Sequence, residues 1–489
     1  MMHDALLEEA LSVARREGAS YADARFVDTS REDLRVRGIV PRGPEPEAIE
    51  RKSSSGFGIR ALFDGAWGFS CTATPTAAAI TRAAREAVAI ARATSLVATR
   101  KVVLSPIEPS RGSYRTRFRV DPFTVPLDRK LRDLIEPVEL LLAGGAPVRT
   151  ATASMSWVRV HKVLRTSEGT AVEQELTYGG AELSVVAVGA DGRAQTRSYP
   201  SSHGGDTGQG GYERIEGLRL RDEAPRLRDE VLELLHAPPL PAGRRTIILD
   251  SSQVALQVHE SCGHPTELDR ALGTEISLAG GSFLQPSMLD RFRYGSEHVN
   301  LVADAQAEGG LGTFGWDDEG IPAQTLDLVR EGMFTGYLSS RETATEIGRT
   351  SSGSMRADGW NRLPLIRMVN VSLLPGKGGS LEELIADTED GVLLEVNRAW
   401  SIDDLRLHFQ FGCELAREIK HGKRGQVFRN PIYQGVTPEF WRSCDAVCDE
   451  RDFRLWGVVN CGKGDPIQVM QVGHGAAPAR FRDVEVGSS

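Results

Sequence analysis

The stretch from Leu256 to Arg270 reads LQVHESCGHPTELDR. His259, Glu260 and His264 are the residue types a zinc peptidase uses. Imidazole nitrogens hold the ion, and a carboxylate takes the proton of the attacking water. The common helical form of this signature is H-E-x-x-H, with the histidines four apart. Here they stand five apart. At about 100° per residue, a spacing of four leaves two side chains roughly 40° apart, and a spacing of five about 140°. A regular α-helix cannot present both rings to one ion. Two remedies exist. A π-type turn of about 4.4 residues brings i and i+5 back into line. Alternatively the helix ends at Gly263, whose tolerance of positive φ lets the chain swing back. Pro265 fits the second remedy, because it cannot continue the same helix. Spacing alone leaves a polar helix end as a competing reading.

A third ligand decides more. Cys262, Glu267 and Asp269 are candidates within the motif, and Cys461 and His474 are candidates farther along. Cys262 cannot bind beside both histidines if neighbouring side chains point apart. Cys461 lies in VVNCGKG, at the mouth of a strand next to two glycines, a good pose for a thiolate approaching a metal. His474, in VGHGAAP, is a candidate oxyanion partner, with a structural histidine as the plainer reading. Cys444 and Cys448 form C-x-x-x-C, too short of partners for a zinc knuckle, and read as core or surface thiols. GVVNCGKG nearly spells a phosphate-binding loop, but Gly464 stands where Ser or Thr would bind magnesium, and Asp465-Pro466 blocks a following helix.

These residues need elements to position them. RTIILD, from Arg245, reads as a strong strand. SSQVALQV follows as a short helix, with Ser251 or Ser252 as its cap and Val254, Ala255 and Val258 on its buried side. His259 and Glu260 then fall near its C-terminal end. Beyond it, strands and turns dominate: DLVREGMFTGYLSS as a hairpin, LPLIRMVNVSLLPG as a long apolar strand region, and strand, tight turn and strand at the end. SLEELIADTEDG is a short helix with Ser380 as cap and Glu383 completing a capping box. The first half mixes helices and strands. Helical spacing runs from Asp4 to Arg16, and GFGIRALFDGAWGFSCT reads as a hairpin around Asp64-Gly65. A further helix is expected after TPT, with Thr74 as cap. HGGDTGQGG reads as a flexible loop.

The fold class expected is α+β. Residues 1–235 form a mixed domain with helices on a sheet, 236–243 a proline-rich linker, and 244–489 a strand-rich domain. Its largely antiparallel, twisted sheet carries the metal-binding helix.

The chain has 489 residues, 40% hydrophobic and 26% charged, with a net charge of -9. That balance supplies a full core, and the absence of a Lys/Arg-rich run argues against nucleic acid. The start has no apolar core of a signal peptide, and no window is apolar enough to span a membrane. Six cysteines in this length do not make a disulfide framework, so a cytoplasmic location is expected.

The chain resembles the TldD/PmbA family, in its TldD-like, metal-bearing branch. HESCGH carries the likeness, with WDDEGIPAQTLDLVREGMFTGYL, RLPLIRMVNVSLLPGKG, NCGKGDPIQ and the N-terminal GFGIRALFDGAWGFS. The resemblance implies a zinc-dependent peptidase acting on unfolded or flexible peptides, with the site facing an internal cavity. It implies His259, His264 and Cys461 as metal ligands and Glu260 as the catalytic glutamate. It further implies a dimer, with a second copy or with a related subunit that lacks the metal motif. One departure is PTELD, where other members carry GLEGD; it bears on substrate preference and on the role of Glu267. RLPLIRMVN is a candidate edge for an extended peptide added as a strand. Two other readings compete: a non-cleaving, metal-stabilised protein that modulates a partner, and a maturation protease serving one biosynthetic pathway.

Overall fold

A computed structural model describes residues 2–202, 204–278 and 280–488. The first half is built on an eight-stranded sheet. Its long central strands are Tyr21–Ile39, Gly43–Phe63, Val148–Thr166 and Ala171–Val188, antiparallel in that neighbourhood. Period-two alternation divides their faces. Ala22, Ala24, Phe26, Leu34 and Val36 all point to one side. There the helices Met2–Arg16 and Ala77–Ser95 cover one end of the sheet, and Leu127–Leu142 and Leu220–Leu234 cover the other.

The opposite face is charged and buried. Arg25 and Lys162 converge on Asp318, at 3.3 and 2.7 Å. Arg60 bridges Asp23 at 2.7 Å and Glu319 at 3.4 Å. Asp318 and Glu319 belong to the WDDEG segment of the second half. That segment is therefore the clasp that seats the strand-rich half on the N-terminal sheet.

In the second half, the strands Gly243–Leu249, Ala479–Ser488, Pro431–Val436, His408–Lys420 and Asp390–Ile402 pair in that order. The last pairs back with the first, in parallel, through Val392 to Leu394. The sheet thus closes on itself. Separate from it stands the two-stranded hairpin Arg454–Lys463 and Gln468–Ala476. A single large core joins the closed sheet, the hairpin and the helix between Ser251 and Val258. Among the described residues no helix is long and apolar enough to cross a membrane.

The α+β class and the helices on one face match the sequence reading, and several local details differ. The helix after TPT starts at Ala77 with Thr76 as its cap, because the Thr76 side chain, not that of Thr74, accepts from Ala79 N. In the glycine-rich segment read as a loop, Asp206–Gln209 is a buried strand paired with Ala171–Val188; His203 lies outside the described residues. Its glycines let backbones meet: a Cβ at Gly205 would stand 2.0 Å from the Ala181 carbonyl oxygen. The long apolar strand breaks into Leu365–Ile366 and Val371–Leu373. The candidate edge RLPLIRMVN is already engaged, since Leu365–Ile366 pairs with Met355–Arg356. Val371–Leu373 pairs with Leu301–Asp304, and Val369 O accepts from Gly473 N. The capping box of Ser380 and Glu383 is present as expected.

Candidate metal centre

The helix that carries the motif spans Ser251–Val258, and neither serine is its cap. Asp250, at the end of the strand, caps it by accepting from Gln253 N at 2.7 Å, a contact worth about 1 kcal/mol. Gln253 and Gln257 share the buried Tyr433 hydroxyl at 2.8 Å each, which fixes the rotation of the helix. From His259 to Gly263 the helix widens into a π-turn, and His264 N donates to His259 O.

Pro265 is one local cause. It has no N–H to give to Ser261 O, four residues back. The Tyr294 hydroxyl donates to that carbonyl instead, at 2.5 Å. Thr266 Oγ1 reaches Cys262 O and Gly263 O at 2.9 and 2.8 Å. The wider turn, not a reversal at glycine, brings the two rings together. Gly263 has φ −65° and ψ −60°, ordinary right-handed values. Its lack of a side chain serves packing: a Cβ there would lie 2.1 Å from Met368 Sδ.

His259, His264 and Cys461 are all buried, and one ligand atom from each lies within 4.8 Å of the others. Cys461 Sγ stands 3.8 Å from His264 Nε2. Zinc bonds of roughly 2.3 Å to sulfur and 2.1 Å to nitrogen put such atoms about 3.6 Å apart on one tetrahedral ion. Cys461 comes from the hairpin, where the pairing register breaks between Val458 and Cys461. Such a bulge re-aims a side chain. Arg367 donates to the Cys461 carbonyl and to Gln468 O, tying the bulge down. Burial pushes the Cys461 thiol up, but neighbouring charge, first the Arg367 guanidinium, holds it below its ordinary value.

The hydrogen bonds fix both imidazole tautomers. His474 Nδ1 lies 2.8 Å from Val371 O, an atom that only accepts. His474 therefore donates through Nδ1. Burial, then the neighbouring His259, holds His474 well below the usual histidine range, so its ring is neutral and Nε2 is an acceptor. His259 Nδ1 donates to that Nε2 at 2.8 Å. The proton of His259 is thus on Nδ1, and its Nε2 lone pair is bare. On the other ring, His264 Nδ1 donates to Glu267 Oε2 at 3.1 Å, which leaves His264 Nε2 bare beside the sulfur. Burial is the first cause that lowers both motif histidines and keeps them neutral. Glu267 itself is ionised: burial would raise it, but Lys463 and Arg270 hold it well below the carboxylate range.

The remaining candidates fall elsewhere. Cys262 points into the core, lies 3.0 Å from the Tyr294 hydroxyl oxygen and is pushed by burial up to about 12. Asp269 takes Lys463 at 2.8 Å. Cys444 and Cys448 are buried, each pushed up to about 12 by burial. His474 has both ring nitrogens engaged within the protein, which corrects the reading of it as an oxyanion donor. Glu260 faces a cleft of about 470 Å³, lined also by Leu278, Trp400, Trp456 and Asn460. Its Oε2 receives Arg406 Nη1 at 2.7 Å. Arg406 was not legible as a site residue, since nothing in DDLRLHF marks its arginine.

Two family profiles match. The PmbA/TldA metallopeptidase C-terminal domain covers residues 242–488, just over half the chain, and domain 1 of the same group covers residues 22–91. A protein named as a metalloprotease in Methanothermobacter thermautotrophicus is 29% identical over 96% of each chain. Another, in Methanocaldococcus jannaschii, is 29% identical over 87% of this chain and 90% of its own. A solved structure of TldE from Thermococcus kodakarensis shares the fold, with TM-score 0.71 at 17% identity, over 98% of this chain and 99% of that one. So does a Thermotoga maritima protein described as a candidate modulator of a DNA gyrase, with TM-score 0.75 at 15% identity over 99% and 100% of the two chains. With these domain matches across both halves, the chain belongs to the PmbA/TldD family of metallopeptidases.

Proposed function

We propose that this protein is a zinc-dependent peptidase that hydrolyses unfolded or flexible peptides, with His259, His264 and Cys461 as metal ligands and Glu260 as general base. One observation carries the reading. Two buried imidazoles, each with its proton on Nδ1 and its Nε2 bare, and one buried thiol bring a ligand atom apiece within 4.8 Å of one another. Such outer partners are what fix the tautomer of metal-ligating histidines. Two nitrogens and a sulfur suit zinc, and three protein ligands leave a position for water. When bound, the ion supplies Lewis acidity, lowering the pKa of water toward about 7 and polarising a carbonyl.

The chain's own residues do the rest. Glu260, beside His259 and facing the cleft, accepts the proton of the attacking water and returns it to the leaving amine. Leu278, Trp400 and Trp456 give the cleft apolar walls. A thiolate ligand donates more charge than a third imidazole would, so turnover is modest. The protein acts in the cytoplasm as a dimer, with a second copy or a metal-free paralogue; the fold shared with TldE suits the second arrangement. It divides into functional units at residues 236–243.

The test is metal content together with cleavage of an unfolded peptide. The purified protein is expected to hold stoichiometric zinc, and Glu260→Ala to retain the zinc and lose cleavage. Undiminished cleavage by the zinc-loaded variant would overturn the mechanism. Peptide left intact by the zinc-loaded wild type, alone and with a metal-free paralogue, would favour a partner-modulating role.

A further inference from the structure

Hydrolysis of an amide moves negative charge onto the carbonyl oxygen, and a donor or cation in the cleft stabilises that charge. His474 does not supply one, because both its nitrogens are occupied. Among the described residues lining the cleft, Arg406 is the only lysine or arginine.

We propose that Arg406 is a further catalytic residue, whose guanidinium stabilises the oxyanion formed from the scissile carbonyl; the proposal rests on the peptidase reading above. Three observations carry it. Arg406 is only 6% exposed, yet it lines the same cleft as the two histidines and Glu260. Its Nη1 stands 2.7 Å from Glu260 Oε2, so the cation sits against the carboxylate that receives the water proton. Finally, its backbone has φ +64°, a left-handed value that costs energy for a residue other than glycine. A tight turn holds it there: Arg406 N donates to Asp403 O at 2.9 Å, Leu407 N to Asp403 Oδ1 at 2.7 Å, and Thr437 Oγ1 to Arg406 O at 2.8 Å.

The charge balance favours the transition state. Before reaction, Glu260 carries the negative charge and Arg406 neutralises it. As water attacks, one of its protons passes to the Glu260 carboxylate and its oxygen bonds to the carbonyl carbon. The π pair of the C=O bond moves to the oxygen. Glu260 is now neutral, and the negative charge lies on the substrate. Arg406 remains a cation throughout. Its partner charge has left the protein for the tetrahedral centre, so its attraction shifts to the state that must be stabilised. When the proton passes from Glu260 to the leaving nitrogen, the C–N bond breaks and Glu260 recovers its charge and its partner.

The experiment compares two probes on the zinc-loaded protein: a phosphinic peptide with apolar flanking side chains, which carries an anionic tetrahedral group, and its uncharged ketomethylene counterpart. Arg406→Met is expected to weaken the phosphinic probe about 100-fold, the scale of one oxyanion donor, and the ketomethylene probe less than about 3-fold. Arg406→Lys, which keeps the charge, should retain part of the preference. Zinc content equal to wild type controls for folding. Equal losses for both probes, or for neither, would restrict Arg406 to holding Glu260 and overturn the proposal. A wild-type protein that binds zinc but neither probe would overturn the peptidase reading with it.

Discussion

His474 Nε2 accepts a hydrogen bond from His259 Nδ1 at 2.8 Å, with the two rings nearly perpendicular at 86°. The relay runs from the Val371 carbonyl through His474 to His259, and it determines which nitrogen of His259 can bind a cation. Replacing His474 with Leu leaves the Nδ1–H of His259 buried without an acceptor and frees its tautomer. Zinc affinity should fall about 10- to 100-fold. His474→Gln, whose amide oxygen can accept, should lose less. Chelator competition measures both. Equal affinity in all three proteins would show that the relay does not tune the site.

Gly263 should not tolerate even a methyl group. The Cβ of Gly263→Ala would meet Met368 Sδ at 2.1 Å in a fully buried setting. Overpacking of this kind costs about 1–3 kcal/mol and would push the π-turn out of line, so stability and zinc affinity should fall together. Shortening the neighbour in Gly263→Ala/Met368→Ala should recover zinc affinity relative to the single variant. A double variant no better than the single one would place the defect in the backbone instead.

The clasp between the halves should depend on Asp318. Its carboxylate faces Arg25 and Lys162, and burial of Asp318 is offset first by Lys162 and then by Arg25, which hold it below the ordinary range. Asp318→Ala takes this partner from the buried Arg25 and the partly buried Lys162. Breaking a buried pair in this way costs about 3–5 kcal/mol, readable as a lower urea midpoint. A change under about 1 kcal/mol would mean that water or a neighbouring acid replaces the carboxylate.

Stability should also depend on pH through Glu182. It is partly buried on the strand Ala171–Val188 and accepts from Gly204 N at 3.2 Å. Burial pushes it up to about 7 from an ordinary 4.5. The folded chain therefore holds this proton more tightly than the unfolded one. The contribution is full below about 4.5 and lost as pH rises through 7. It amounts to at most about 3 kcal/mol, and less if solvent screens the group. Glu182→Gln removes the dependence. The stability of wild type relative to that variant should decline between pH 4.5 and 7 and level off above. A flat difference across that window would show that Glu182 titrates normally.

Much of the fold was readable because its signals are local. Alternation on the central strands, helical spacing in the first sixteen residues and the capping box at Ser380 each depend on residues a few positions apart. Cap positions slipped by one or two residues, at Thr76 and Asp250, because adjacent polar residues compete to cap and geometry selects one. The strand Asp206–Gln209 was missed for a different reason. Its glycines resemble a loop in sequence, and only the crowding of neighbouring backbones makes them a requirement.

By itself, the sequence determined the chemistry on offer: two histidines five apart, a glutamate between them, a cysteine beside glycines two hundred residues on, and a proline that denies the helix a regular turn. The tertiary structure decided which remedy the helix takes, which nitrogen each ring exposes, and that Arg406 stands against Glu260. The physical reason is range. Turn geometry follows from neighbours along the chain. A tautomer, by contrast, is set by whichever acceptor packs against the ring, and the acceptor for His259 comes from the hairpin strand Gln468–Ala476, which no local spacing ties to the motif.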